Sequence, residues 1–141
     1  MGFQTFEDIE AWKEARALTK MVRVFSRRAI AKRDWGWADQ ISSAALSIMA
    51  NIAEGNDATT NPEFVVFLGY AKRSDAEVRS HLYYGLDEGH VTQEEFADAS
   101  ARTKKIGAQL AKLMEYLRNH SIQQRAPDKR SSNKPTSNQQ L

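Results

Sequence analysis

Arg16, Lys20, Arg23 and Arg27 recur at spacings of four, three and four, which places them on one face of a helix about a turn apart. A row of cations so spaced can follow a phosphate backbone, the electrostatic chemistry of nucleic-acid binding. Arg28, Lys32 and Arg33 extend the run, so seven cations fall between positions 16 and 33. The same pattern also suits a solvated helix surface with positive charge gathered toward the C-terminus, where the helix dipole favours it. Both uses stand at this point.

A second group of chemically active side chains is Asn51, Glu54, Ser74 and Glu77. On two antiparallel helices joined by a short loop they form a candidate buried polar cluster, with partners that satisfy one another and set the register of the pair. Glu54 lies in the last turn of its helix, where the dipole opposes a carboxylate by roughly 0.3–1 kcal/mol, so an anchoring partner is expected for it. His81, Tyr83, Tyr84, Asp87, Glu88 and His90 crowd a third region. Bundle metal sites use Glu-x-x-His pairs, and the chain contains none; Glu77 and His81, four apart, could together bind one cation, but a surface hydrogen bond or ion pair is the expected use. No Gly-x-Ser-x-Gly turn exists and there is no cysteine, which removes a Cys nucleophile, thiolate ligands and disulfides. The expectation is a protein with no catalytic residue, no metal and no cofactor.

Four helices must carry these groups. Gln40 to Asn56 reads QISSAALSIMANIAEGN, and Ile41, Ala44, Ala45, Ile48 and Ile52 form an apolar stripe with small residues where a neighbour can approach. Gly55 occupies the position expected of a left-handed C-cap. Upstream, Thr5 is the expected cap of a first helix whose inward stripe is Ile9, Trp12, Ala15, Leu18, Val22 and Phe25, ending near Ile30. Asp34 is a plausible cap for the second helix, Trp37 starts its stripe, and Trp35 is either a lid on the bundle end or an exposed contact or base-stacking aromatic. Asn61-Pro62 restarts the chain as a cap followed by proline at the first helical position, and Phe64, Phe67, Leu68, Ala71, Ser74, Val78 and Leu82 continue inward. Gly89 ends that helix. Thr92 and Glu95 form a capping box for a fourth, whose stripe is Phe96, Ala99, Thr103, Ile106, Leu110, Leu113 and Leu117. The reading is all-α: an up-and-down antiparallel four-helix bundle over residues 1–120, with a disordered basic C-terminal tail over residues 121–141.

Gln40-Ile41, Ala44-Ala45, Ser47-Ile48 and Asn51-Ile52-Ala53-Glu54-Gly55 resemble the signature of bacterial four-helix-bundle proteins encoded within intervening sequences of large-subunit ribosomal RNA, the 23S rRNA intervening-sequence protein family. Trp12, Ala15, Phe64, Phe67-Leu68, Ala71, Ser74, Glu77, Leu82 and Gly89 add to the resemblance, which spans about residues 6–118. It implies a homo-oligomer, a pentamer, with a link to RNA or ribonucleoprotein; related bundles are accessory variability determinant proteins of retroelements. It supplies no catalytic residue. Where the family often carries a basic pair after Gln-Ile, this chain has Ser42-Ser43; Arg73 stands where a glycine is frequent, and Asn56-Asp57 near a usual arginine.

A chain of 141 residues, 41% hydrophobic, suits one core. No apolar run approaches the roughly 18 residues of a membrane span, so a cytoplasmic protein with no membrane partner is expected. The net charge of +2 is unevenly placed: residues 121–141 hold four basic and one acidic side chain, leaving 16 basic against 17 acidic in residues 1–120. Any case for nucleic acid therefore rests on the local ridge. Trp35, Phe3, Val65 and Tyr70 fall outside the simplest core stripes, which agrees with an oligomer. Two functions remain: an oligomeric RNA-binding bundle working through the first-helix ridge, or a protein-binding scaffold in which the ridge only solubilises.

Overall fold

The computed structural model describes residues 5–120; the tail reading for residues 121–141 and the contact expected of Phe3 fall outside the described residues. After a 3₁₀ turn at Phe6–Asp8 come four helices: α1 (Glu10–Ala31), α2 (Trp35–Asn56), α3 (Asn61–Asp87) and α4 (Gln93–Asn119). They form a four-helix bundle in which α2 packs on α1 and α3, and α4 packs on α3 and α1. Short connections force successive helices antiparallel. Phe25, Leu18 and Val22 from α1 meet Ile41, Ile48 and Ile52 from α2, Phe64, Leu68 and Leu82 from α3, and Ile106 and Leu110 from α4, all essentially without solvent contact. Each such side chain contributes about 1.5–3 kcal/mol by leaving water. The stripes of α2, α3 and α4 are as expected, except that Phe67 and Phe96 are half-buried. On α1 the inward stripe ends at Ala29, and Ile30 is exposed.

Helix starts differ from expectation by a few residues, each time because another group takes the capping task. Thr5 precedes only the 3₁₀ turn, where its hydroxyl lies 3.5 Å from the Asp8 carboxylate; α1 is entered from Ile9. Thr60, not Asn61, caps α3 by accepting from the Glu63 N–H at 3.3 Å. Asn61 is buried instead, its amide donating to the His120 carbonyl at 3.0 Å and tying the start of α3 to the end of α4. The capping box at α4 is complete: the Glu95 N–H donates to Thr92 Oγ1, and Glu95 Oε1 accepts from the Thr92 N–H.

Gly55 is not a left-handed cap. It lies inside α2, and the only glycine among the described residues with positive φ is Gly89, at +79°. Gly55 is required for closeness: a Cβ there would stand 2.7 Å from Phe64 Cδ1. The left-handed cap of α1 falls to Arg33, at φ +66°. Its N–H donates to the Ile30 carbonyl at 2.9 Å and that of Asp34 to Ala29 at 2.8 Å, the paired bonds of a Schellman turn. Glycine is the usual occupant; an L side chain there costs about 1 kcal/mol.

Candidate nucleic-acid interface

Arg16, Lys20, Arg23 and Arg27 are all exposed, on the side of α1 opposite Leu18, Val22, Phe25 and Ala29. Arg16, Lys20 and Arg27 make no hydrogen bond or ion pair with the described residues. Arg23 leans toward α2, donating from Nη1 to Ser42 Oγ at 2.9 Å and to Ser26 Oγ at 3.1 Å. A hydroxyl in α2 at position 42 thus holds the arginine in place without neutralising it. The ridge spans roughly 16 Å from Arg16 to Arg27 at 1.5 Å per residue.

The expected extension of the ridge breaks at Arg28. Its guanidinium grips both oxygens of Glu95 at 2.6 and 2.7 Å and donates to the His90 carbonyl at 3.1 Å, so it joins α1 to the start of α4. Lys32 donates to the Gly89 carbonyl at 3.1 Å. One residue beyond Arg27 is 100° further round a helix, which turns Arg28 from the ridge toward α4. Of the three added cations only Arg33 faces water without a partner among the described residues.

The Arg28 guanidinium, with the Thr92 backbone N–H assisting, holds the Glu95 carboxyl down to about 2. A carboxylate depressed in the fold stabilises it above the ordinary carboxyl range, and that contribution is lost as pH falls through about 2. Glu95→Gln is therefore expected to destabilise by about 1 kcal/mol at pH 7, a figure discounted because Arg28 is 41% exposed. The difference between variant and parent should shrink below pH 4 in urea titrations; a pH-independent difference would assign the loss to capping alone.

At the same end, the loops meet around a buried histidine. His90 Nε2 lies 2.9 Å from Asp34 Oδ2, the Tyr84 hydroxyl donates to that same oxygen at 3.0 Å, and the His90 ring stacks on Trp37 at 5.0 Å. His90 and then Tyr84 hold the Asp34 carboxyl below its ordinary value, and bonding to Asp34 raises the Tyr84 phenol. Asp34 thus serves the loop clasp with its side chain and leaves the first turn of α2 without a side-chain cap. Trp37 closes the bundle end, its Nε1 donating to the His81 carbonyl at 3.0 Å. Trp35, two residues earlier, is 56% exposed and is not a lid.

The polar cluster forms only in part. Ser47, absent from the expected set, is its centre: Ser74 Oγ donates to Ser47 Oγ at 2.9 Å, and Asn51 Nδ2 donates to the Ser47 hydroxyl and carbonyl at 3.0 and 2.9 Å. Glu54 is exposed with no partner among the described residues, so the anchoring expected of it is not formed; water suffices for a surface carboxylate. Glu77 is also exposed, 3.5 Å from His81 Nε2, the surface pair its spacing indicated. No group of three metal-ligating side chains occurs among the described residues, nor is any helix there long and apolar enough to cross a membrane.

Two features were not foreseen. Asp75 on α3 is buried at 4% exposure against α4, with Oδ1 unpartnered; burial pushes its carboxyl up to about 7, against the pull of Arg79. Its position midway between Leu68 and Leu82, seven residues from each, was the available signal. The other is the outer face of α2. From Gln40 to Ala53 the helix carries no charge, and Leu46 on that face is 55% exposed. On α3 Val66 and Tyr70 are 50% and 44% exposed, whereas Val65 packs on the core.

Residues 7–112 match the family described as 23S rRNA-intervening sequence protein. Among solved structures, a protein of unknown function from the S23 ribosomal protein family of Bacteroides thetaiotaomicron is similar at TM-score 0.70 and 17% identity, the match covering 74% of this chain and 98% of that one. At that identity the likeness is one of fold. No curated protein matches.

Proposed function

The chain belongs to the 23S rRNA-intervening sequence protein family, and from that premise we propose that it is a non-enzymatic, oligomeric bundle that binds RNA, alone or in a ribonucleoprotein, through Arg16, Lys20, Arg23 and Arg27. The observation that carries this reading is the division among the cations of α1. Arg28 and Lys32 are held in the fold, while the four ridge residues remain co-facial and exposed. Residues 1–33 carry eight basic against four acidic side chains, and residues 34–120 eight against 13, so positive potential concentrates on one side of the bundle. The outer face of α2, uncharged from Gln40 to Ala53 and carrying the exposed Leu46, supports the oligomeric part. A homopentamer, as the resemblance implies, would repeat the ridge five times and convert weak contacts into avidity.

The double substitution Lys20→Glu, Arg27→Glu tests the ridge without disturbing Arg23 and its serine partners. It should abolish retention of RNA at 150 mM salt while helix content, melting temperature and mass by light scattering stay those of the parent. Replacing each of the two residues by glutamine should lower the slope of log K against log salt by about 0.7. Binding unchanged by the reversal would make the ridge a solvated surface and leave the protein-scaffold reading, which the α2 face also favours.

A further inference from the structure

Beyond Arg27, the last residue of the ridge, α1 ends in the turn that holds Arg33 and leads to Trp35, and three observations at that turn point the same way. First, Trp35 is 56% exposed and has no ring contact among the described residues, the most exposed of the chain's described tryptophans. Second, the backbone on both sides of it is held: Asp34 by Tyr84 and His90, Trp37 by burial and its bond to the His81 carbonyl. The indole is thus displayed from a fixed base, so that a flat ligand covering it costs side-chain freedom but little backbone freedom. Third, Arg33 occupies the left-handed cap of α1 where glycine would be less strained, which places a free cation two residues from that indole.

We propose that Trp35 is a base-stacking platform at the end of the α1 ridge, with Arg33 beside it, so that the nucleic acid this protein takes is single-stranded RNA with unpaired bases. The proposal rests on the RNA reading above and narrows it. A duplex would satisfy the ridge as well as a single strand does, because its phosphates are equally available. An exposed aromatic beside a basic track gains only from bases whose faces are free. Stacking of this kind tolerates any base, so the site selects strandedness rather than sequence.

The test compares a labelled 12-nucleotide oligoadenylate, a 12-base-pair RNA duplex, and inorganic polyphosphate as competitor, all against the full chain. Trp35→Ala should weaken the single strand about 5- to 160-fold, the range of one lost aromatic–base stack, with the duplex and polyphosphate unaffected. Trp35→Phe should restore most of the loss. Arg33→Gly, which relieves the positive φ, should keep or raise the melting temperature and weaken both RNAs several-fold. Equal affinity of parent and Trp35→Ala for the single strand overturns the proposal, as does an equal loss on all three probes. A change of mass in light scattering would make Trp35 a subunit contact and overturn it too. Should Trp35→Ala be silent while Lys20→Glu, Arg27→Glu abolishes binding, the ridge survives without the platform; if the parent binds neither RNA, both readings fall.

Discussion

Asp75→Asn should raise the melting temperature by roughly 10 °C at pH 8 and leave it nearly unchanged at about pH 3. Asp75 is buried between α3 and α4, and burial pushes its carboxyl from 3.8 up to about 7. In the unfolded chain the same group ionises near its ordinary value. Below that value the carboxyl is neutral in both states and makes no difference to stability. Between the two values the folded chain holds a proton that the unfolded chain has released, so stability falls as pH rises. Above about 7 both states are ionised and the loss levels off, on the order of 2–4 kcal/mol. Asparagine has the same shape and no charge at any pH, so it removes that loss alone. Calorimetry of parent and variant from about pH 3 to pH 9 should give curves that meet at the acid end and part through neutrality. Parallel curves would mean that solvent or Arg79 stabilises the carboxylate.

Gly85→Ala should destabilise by about 2–3 kcal/mol, although alanine is the better helix former by about 1 kcal/mol. A Cβ at position 85 would stand 2.6 Å from Trp37 Cζ2 and 2.8 Å from Val91 Cγ2. Trp37 has little room to yield, because it is 7% exposed, hydrogen-bonded to His81 and stacked on His90. Gly69→Ala is the matched control: the nearest atom lies 4.0 Å away, at the flexible end of Met114. It should stabilise by about 0.5–1 kcal/mol. Urea midpoints of the two variants should therefore move in opposite directions. A stabilised Gly85→Ala would show that the loop carrying Val91 and the tryptophan repack at no loss.

The helices were legible because their apolar residues repeat at three and four, and no other regular element buries such a stripe. The α4 box was legible for a local reason, since Thr92 and Glu95 cap each other without help from elsewhere. What the sequence hid depends on distance in space. Gly55 looks like a cap in one dimension and is a contact with Phe64 in three. Arg27 and Arg28 are equivalent letters, yet only the partner 67 residues away, Glu95, separates surface from seam. Ser47 gives no signal of its own, because a small hydroxyl on a helix is unremarkable until Ser74 faces it. Asp75 broke a heptad of leucines, a signal that was present and outweighed by the regularity around it.

The ion pairs that join α1 to α4 bear on how the bundle closes in time. Glu14 accepts from Arg102 at 2.7 Å and Lys105 at 3.1 Å, from 88 and 91 positions along the chain, and Arg28 donates to Glu95 at the other end. The other helix contacts join neighbours in sequence, available as soon as each hairpin has been made. The α1–α4 seam alone must wait for the chain to come full circle, with the loop-closure entropy that this entails. Three helices emerge before the fourth can meet the first, and until then the flank of α1 that bears Glu14 and Arg28 is without its partner. Opposite charges at both ends of the seam attract α4 over a range that apolar contacts lack, up to about 10 Å at moderate salt.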